Sequence, residues 1–219
     1  LSAEDFIQRV LIDALGVRGV VVGFNFGFGA GRTGDVDTLR EAGLRLGFEL
    51  GVVDSVTHAG GESVSSSSIR LAVAGGDLGI AQRMLGRPHF VTGEVVQGDQ
   101  RGRTMGFPTA NIQPEIPALP PHGVYAGWLD ADGALVPAVA NMGMRPTFGA
   151  SEGASLEVHA LDTELPELYG QRVRFYFQDG LRGEESFPSR EALMDQIHRD
   201  CEQARVCLGK ELAPARFAL

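Results

Sequence analysis

Gly123-Val124-Tyr125-Ala126-Gly127-Trp128-Leu129-Asp130-Ala131-Asp132-Gly133-Ala134-Leu135-Val136-Pro137-Ala138-Val139-Ala140-Asn141 holds two β-rich runs, 123–130 and 134–141, on either side of an Asp-Gly pair. That dipeptide enters the left-handed conformations of a tight hairpin turn, so the two runs read as antiparallel neighbours. Runs of the same kind recur outward at 89–96, 154–161 and 172–178, separated by Gly, Pro and Asp. Short strands at such regular spacing pack as a barrel or a sandwich, and the cost of an unpaired edge favours closure. A helix follows over 189–208. It places Leu193, Ile197, Cys201, Ala204 and Leu208 on one face and Arg190, Asp195, Arg199 and Glu202 away from it, which predicts packing on the strands.

Before Gly86-Arg87-Pro88 the pattern differs. Residues 2–15 carry Phe6, Ile7, Val10, Leu11 and Ala14 at helical spacing, with Ser2 as N-cap and Gly16 as stop. An apolar run at 20–24 reads as a buried strand, a helix opens at Asp35 and ends at Gly47, and a second strand covers 48–53. Two short helices, 67–74 and 77–85, complete this half. Helices alternating with buried strands imply a parallel sheet with crossovers. Two strands are few for such a sheet, and the chain starts at Leu1, so this half is expected to be the later part of a larger domain.

The charge balance narrows the function. Nineteen basic against 28 acidic residues give a net charge of -9, which disfavours nucleic acid as a partner. All basic residues but Lys210 are Arg, so a phosphate held by a side chain is held by a guanidinium. Cys201 and Cys207 fall on different faces of one helix and cannot bridge each other. No run is long and apolar enough for a membrane span, and a cytoplasmic setting is expected.

Several stretches carry chemistry. Gly29-Ala30-Gly31-Arg32-Thr33-Gly34 fits G-x-G-x-x-G, with Asp54 twenty residues beyond Gly34, but Phe24 to Phe28 separate it from the strand that a dinucleotide fingerprint needs immediately before it. Ser65, Ser66 and Ser67, with Arg70 one turn on, are either a phosphate site at a helix N-terminus or an ordinary cap. Gly98, Arg101, Gly102, Arg103 and Gly106 form a loop whose N–H groups and guanidiniums can cradle phosphates, unless it is a plain glycine turn. Beyond it Pro108 biases the chain to extend, which puts Thr109 and Asn111 on one side, two neutral oxygens suited to Mg2+ that also binds nucleotide phosphates. Glu157 alternates with Leu156 and Val158, so it is either a general base or the solvated face of a strand. The five His residues have no ligand spacing, and no structural zinc is expected.

Gly106-Phe107-Pro108-Thr109-Ala110-Asn111, Gly123-Val124-Tyr125-Ala126-Gly127, Asn141-Met142-Gly143-Met144-Arg145-Pro146-Thr147-Phe148, Leu156-Glu157-Val158-His159 and Leu168-Tyr169-Gly170 occur in the order and spacing of the riboflavin kinase module, which this half resembles. The first half resembles the later part of the FMN adenylyltransferase module of bacterial bifunctional FAD synthetases, through Phe26-Gly27 and Ser65 to Arg70. The resemblance implies residues 1–86 as a partial α/β, Rossmann-like nucleotidyltransferase domain, and 87–219 as a six-stranded antiparallel barrel with a C-terminal helix.

It also implies phosphoryl transfer from ATP to riboflavin, giving FMN and ADP. Thr109 and Asn111 would hold Mg2+, Glu157 would be the catalytic base, and Gly98, Arg101, Gly102, Arg103 and Gly106 would lie over the phosphates. Arg145 is a candidate for ordering the neighbouring loop, and flavin contacts are expected near 181–187 and on the last helix. The H-x-G-H motif that the adenylyltransferase module uses does not occur in these residues, so FAD formation by this chain alone is not expected. The rival readings are a catalytically silent flavin or nucleotide binder and a dinucleotide-dependent oxidoreductase using Gly29, Gly31, Gly34 and Asp54.

Overall fold

A computed structural model describes residues 1–57, 63–98, 102, 105–115, 118–131, 133–145, 153–209 and 213–214. The chain forms two compact units, Leu1–Val64 and Ser65–Leu219. In the first, Ser2 caps α1 (Ala3–Asp5), its hydroxyl accepting from the Asp5 N–H at 3.0 Å. The helix runs on through Phe6–Ala14 in a wider winding, in which the Leu15 N–H reaches the Val10 carbonyl at 3.1 Å. β1 (Gly19–Gly23) and β2 (Glu49–Val53) pair in parallel from Gly19 opposite Glu49 to Gly23 opposite Val53. Between them lies α2 (Val36–Leu46), opened by a reciprocal Asp35 and Thr38 cap and closed by Gly47 in the left-handed region at φ 82°. Ile7, Leu11, Val22, Phe28, Leu39, Ala42 and Phe48 form its core, while Val21 on the other face of β1 is 74% exposed.

The G-x-G-x-x-G loop serves packing in this unit. A methyl group at Gly29 would lie 2.6 Å from the Ala3 nitrogen, and one at Gly34 would lie 2.6 Å from the Phe28 ring. These glycines admit the start of α1 and an aromatic side chain, which gives them a steric reason to be glycine without any pyrophosphate.

The second unit begins with α3 (Ser66–Gly75) and α4 (Leu78–Leu85), followed by β3 (His89–Val96), β4 (Ala110–Pro114), β5 (Gly123–Ala131), β6 (Ala134–Arg145), β7 (Gly153–Ala160), β8 (Arg172–Gly183) and α5 (Arg190–Leu208). The six strands close a barrel in the order β3-β4-β7-β6-β5-β8, each pair antiparallel, with β8 returning to β3. The expected barrel with a C-terminal helix is thus present. The β5–β6 hairpin turns at Gly133, φ 81°, with Asp132 outside the described residues. β6 and β8 run several residues beyond the stretches expected for them.

The barrel interior is a packed core and not a channel. Val91, Ile112, Leu129, Met142, Leu156, Val158 and Phe175 point into it, each 1% exposed or less. Gly127 is required there, because a methyl group on it would stand 2.1 Å from the Tyr176 carbonyl oxygen and 2.5 Å from the Phe175 ring. α5 covers the outside of β5, β6 and β8, with Cys201, Ala204 and Leu208 packed on Val124, Ala126 and Val139. Cys201 and Cys207 are not joined in a disulfide, and burial pushes the Cys201 thiol up to about 11. One residue of α5 breaks the apolar reading of its inner face: Asp200, 2% exposed, receives Arg182 of β8 at 2.9 and 3.1 Å and the Gln196 amide at 2.8 Å.

Candidate active site

Strand alternation puts the site on the outside of the barrel. Ala110 and Ile112, Leu156 and Val158, and Ala140 and Met142 all belong to the core, so the residue between each pair faces outward. Those residues are Asn111, Glu157 and Asn141. Register places Glu157 directly opposite Asn111 on β4 and directly opposite Asn141 on β6. Cross-strand partners lie about 4.5–5.5 Å apart at Cα, so an exposed carboxylate stands in a row between two side-chain amides.

The glycine loop folds against one end of this row. A methyl group at Gly98 would lie 2.3 Å from Nδ2 and 2.4 Å from Cγ of Asn111, so the Gly98 backbone rests on the Asn111 amide. A methyl group at Gly102 would lie 2.4 Å from the Phe107 carbonyl oxygen and 3.3 Å from Thr109 Oγ1. The Gly102 carbonyl accepts from the N–H groups of Met105 at 3.0 Å and Phe107 at 2.9 Å, and Gly106 turns the chain at φ 86°. The backbone of Gly98 therefore adjoins Asn111 and that of Gly102 adjoins Thr109, and a Cβ at either glycine would fill the space beside their polar atoms. Two neutral oxygens under such a cradle fit a hard divalent cation that takes its other ligands from phosphate and water.

Phe107, 7% exposed, anchors the loop by packing with the residues under α5. The His159 ring meets it edge-on with centroids 5.5 Å apart, and the His198 ring does so at 4.9 Å. At the far end of the row, a methyl group at Gly143 would lie 3.2 Å from Glu184 Oε1, and Glu184 faces His122 at 3.8 Å. The 181–187 segment is tied to α5 through the Arg182–Asp200 pair, and the Arg182 guanidinium lies over the Phe187 ring at 5.5 Å.

The remaining candidates are placed as follows. Arg101 and Arg103 lie outside the described residues. Arg145 ends β6 opposite Gly153. Ser65 caps α3, its hydroxyl accepting from the Ser68 N–H at 3.1 Å while the Ser68 hydroxyl accepts from the Ser65 N–H at 2.9 Å. Ser66, Ser67 and Arg70 are exposed beside that cap. Two residues with no role assigned from the sequence, Asn141 and His159, adjoin Glu157. The i, i+2 spacing of Glu157 and His159 and the outward phase of Asn141 were the available signals.

Residues 85–208 match the family model for riboflavin kinase (flavokinase). The chain belongs to the riboflavin kinase family. Residues 1–68 match the model for FAD synthetase, so the family's kinase domain here follows a segment of a second family. Two curated relatives are named bifunctional riboflavin kinase/FMN adenylyltransferase. That of Pseudomonas fluorescens is 42% identical over 94% of this chain and 65% of its own length. That of Escherichia coli K12 is 40% identical over 95% of this chain and 66% of its own. The chain thus spans less than two thirds of the length of either.

A solved structure described as a macrolide-efflux protein from Streptococcus pneumoniae shares the fold, with a TM-score of 0.81 and 32% identity over 94% of this chain and 65% of that one. The name of that structure and those of the two relatives disagree. The kinase family model covers the barrel and α5 together, and it is the family that this barrel belongs to. Among the described residues no helix is long and apolar enough to cross a membrane.

Proposed function

We propose that this riboflavin kinase family member transfers the γ-phosphoryl group of ATP to the primary ribityl hydroxyl of riboflavin, forming FMN and ADP, in the cytoplasm. The observation that carries the reading is the row Asn111, Glu157 and Asn141, with glycine backbone folded over its Asn111 end. In this reading Glu157 accepts the hydroxyl proton as the ribityl oxygen bonds to the γ-phosphorus, and the bond to the bridging oxygen of ADP breaks. Arg101 and Arg103, with the N–H groups of Gly98, Gly102 and Gly106, bind and orient the phosphates, and Arg145 orders the neighbouring loop. Thr109 and Asn111 would hold Mg2+, which when bound offsets phosphate charge.

The domain reading is residues 87–219 as the kinase and 1–86 as part of an FMN adenylyltransferase domain, with Ser65, Ser66, Ser67 and Arg70 as its remnant phosphate site. Support for the kinase half comes from the family match and from the way the strand register gathers residues that the sequence keeps apart.

The test is chromatographic: the chain with Mg2+ and ATP, once with riboflavin and once with FMN. FMN from the first and no FAD from the second is the expected result. Flavin binding without product would leave a silent binder, and FAD from the second would show adenylyl transfer without the H-x-G-H motif. A second prediction concerns the loop. Gly98→Ala drives a Cβ into the Asn111 amide and should raise the Mg2+ concentration for half-maximal activity by about tenfold, as disturbing the groups that orient a metal ligand does. An unchanged Mg2+ titration in this variant would remove Asn111 from the metal site.

A further inference from the structure

His159 stands two residues beyond Glu157 on the same outward face of β7. Its Nδ1 lies 2.9 Å from the carbonyl oxygen of Pro108, a contact that joins strand β7 to the loop 51 residues earlier. Pro108 has no N–H, and the ladder that fixes β4 begins only at Ala110, so the regular sheet hydrogen bonds do not hold the Pro108–Thr109 peptide. The Pro108 carbonyl and the Thr109 nitrogen belong to one planar unit, so whatever fixes that oxygen also fixes the direction in which Thr109 leaves it. An imidazole carrying its proton on Nδ1 donates to this carbonyl. The same ring meets Phe107 edge-on, and His198 of α5 closes on Phe107 at an interplanar angle of 69°. Phe107 is therefore held by its N–H on the Gly102 carbonyl and by two ring contacts, while the His159 hydrogen bond acts on the Pro108 carbonyl, in the peptide next to Thr109.

We propose that His159 is a positioning residue for nucleotide binding: through the Pro108 carbonyl it orients Thr109 beside Asn111, and so sets the affinity for the metal–nucleotide complex. This rests on the kinase-site reading of Thr109 and Asn111. It assigns His159 no contact with riboflavin or ATP and no part in proton transfer. Removing the hydrogen bond should weaken MgADP and MgATP binding while turnover at saturation changes little.

Two substitutions separate the hydrogen bond from the packing. His159→Asn keeps a donor close to the place of Nδ1 and loses most of the ring; His159→Phe keeps a ring against Phe107 and has no donor. His159→Leu, smaller and also without a donor, serves the second purpose if the phenyl ring is not accommodated. The 219-residue chain and its variants, with Thr109→Ala and the Thr109→Ala/His159→Phe double variant, are titrated with MgADP by calorimetry and assayed for KM(MgATP) and kcat, with thermal melting as the check on folding. The expected result for His159→Phe is MgADP affinity and KM(MgATP) each weaker by about tenfold, as for one lost hydrogen bond, with kcat within about threefold of wild type. His159→Asn should return both constants to within about threefold, and the double variant should be no weaker than Thr109→Ala alone.

Wild-type MgADP affinity in His159→Phe, beside a weakened Thr109→Ala, would overturn the positioning role and leave the metal site standing. Loss in His159→Asn with none in His159→Phe would also overturn it, because packing alone would then matter. Unchanged MgADP affinity in Thr109→Ala would overturn the site reading itself, and this proposal with it.

Discussion

Glu157→Gln should retain flavin and MgATP binding and lose about a hundred- to ten-thousandfold in kcat, the range that a positioned general base supplies. The substitution is nearly isosteric, and Glu157 is on the exposed face of β7, so neither the barrel core nor the β4–β7–β6 pairing depends on its charge. What changes is the ability to take a proton, since a side-chain amide does not accept one at neutral pH. The measurement is steady-state FMN formation at saturating riboflavin and MgATP, with KM values alongside. KM values within about threefold of wild type place the loss in the chemical step. A variant that kept more than about a tenth of the wild-type kcat would show that the hydroxyl loses its proton elsewhere, and the row of Asn111, Glu157 and Asn141 would then be a binding surface only.

Asp200→Ala should cost about 3–5 kcal/mol of unfolding free energy, the penalty for leaving one member of a buried ion pair behind. The Asp200 side chain is 3% exposed and that of Arg182 is 16% exposed, and the pairing is bidentate, so water does not replace the carboxylate cheaply. The Gln196 amide would lose its acceptor as well. Urea denaturation followed by tryptophan fluorescence is a direct readout, since Trp128 packs against the residues under α5. The double variant Arg182→Met/Asp200→Leu should recover most of the loss, because apolar side chains of similar volume often match a buried pair in stability. A loss below about 1 kcal/mol for Asp200→Ala would mean that Arg182 finds another partner, as surface pairs do.

The two large variants test features that the sequence reveals unequally. Glu157 could be read from its place between two apolar strand residues and from its motif, since alternation in a strand is a local property. Its neighbours could not, because the register that sets Asn111 on one side and Asn141 on the other depends on pairing between distant segments. Asp200 was hidden for a related reason: the helical stripe from Leu193 to Leu208 reads as uniformly apolar on its inner face, and nothing local shows that Arg182, eighteen residues earlier, turns inward to meet a carboxylate there.

Helix starts were legible at Ser2, Asp35 and Ser189, where a hydroxyl or carboxylate meets an N–H three residues on. The wide winding of Phe6–Ala14 was not, because its apolar spacing also suits an ordinary α-helix. The G-x-G-x-x-G motif was legible as a pattern but not as a use. Its Gly29 and Gly34 make room for Ala3 and Phe28, a steric demand that appears only once the chain is folded.

The barrel is closed by its first and last strands, β3 and β8, with the other four strands lying between them in sequence. A ribosome delivers these strands in order, so β3 waits for one of its two neighbours until β8 has emerged, and β5 waits for the same strand. Long-range pairing of this kind is slow relative to hairpin formation. β8 therefore acts as the keystone of synthesis: a chain released before Arg172 would carry two bare strand borders at once, the form in which nascent β domains pair with one another rather than with themselves.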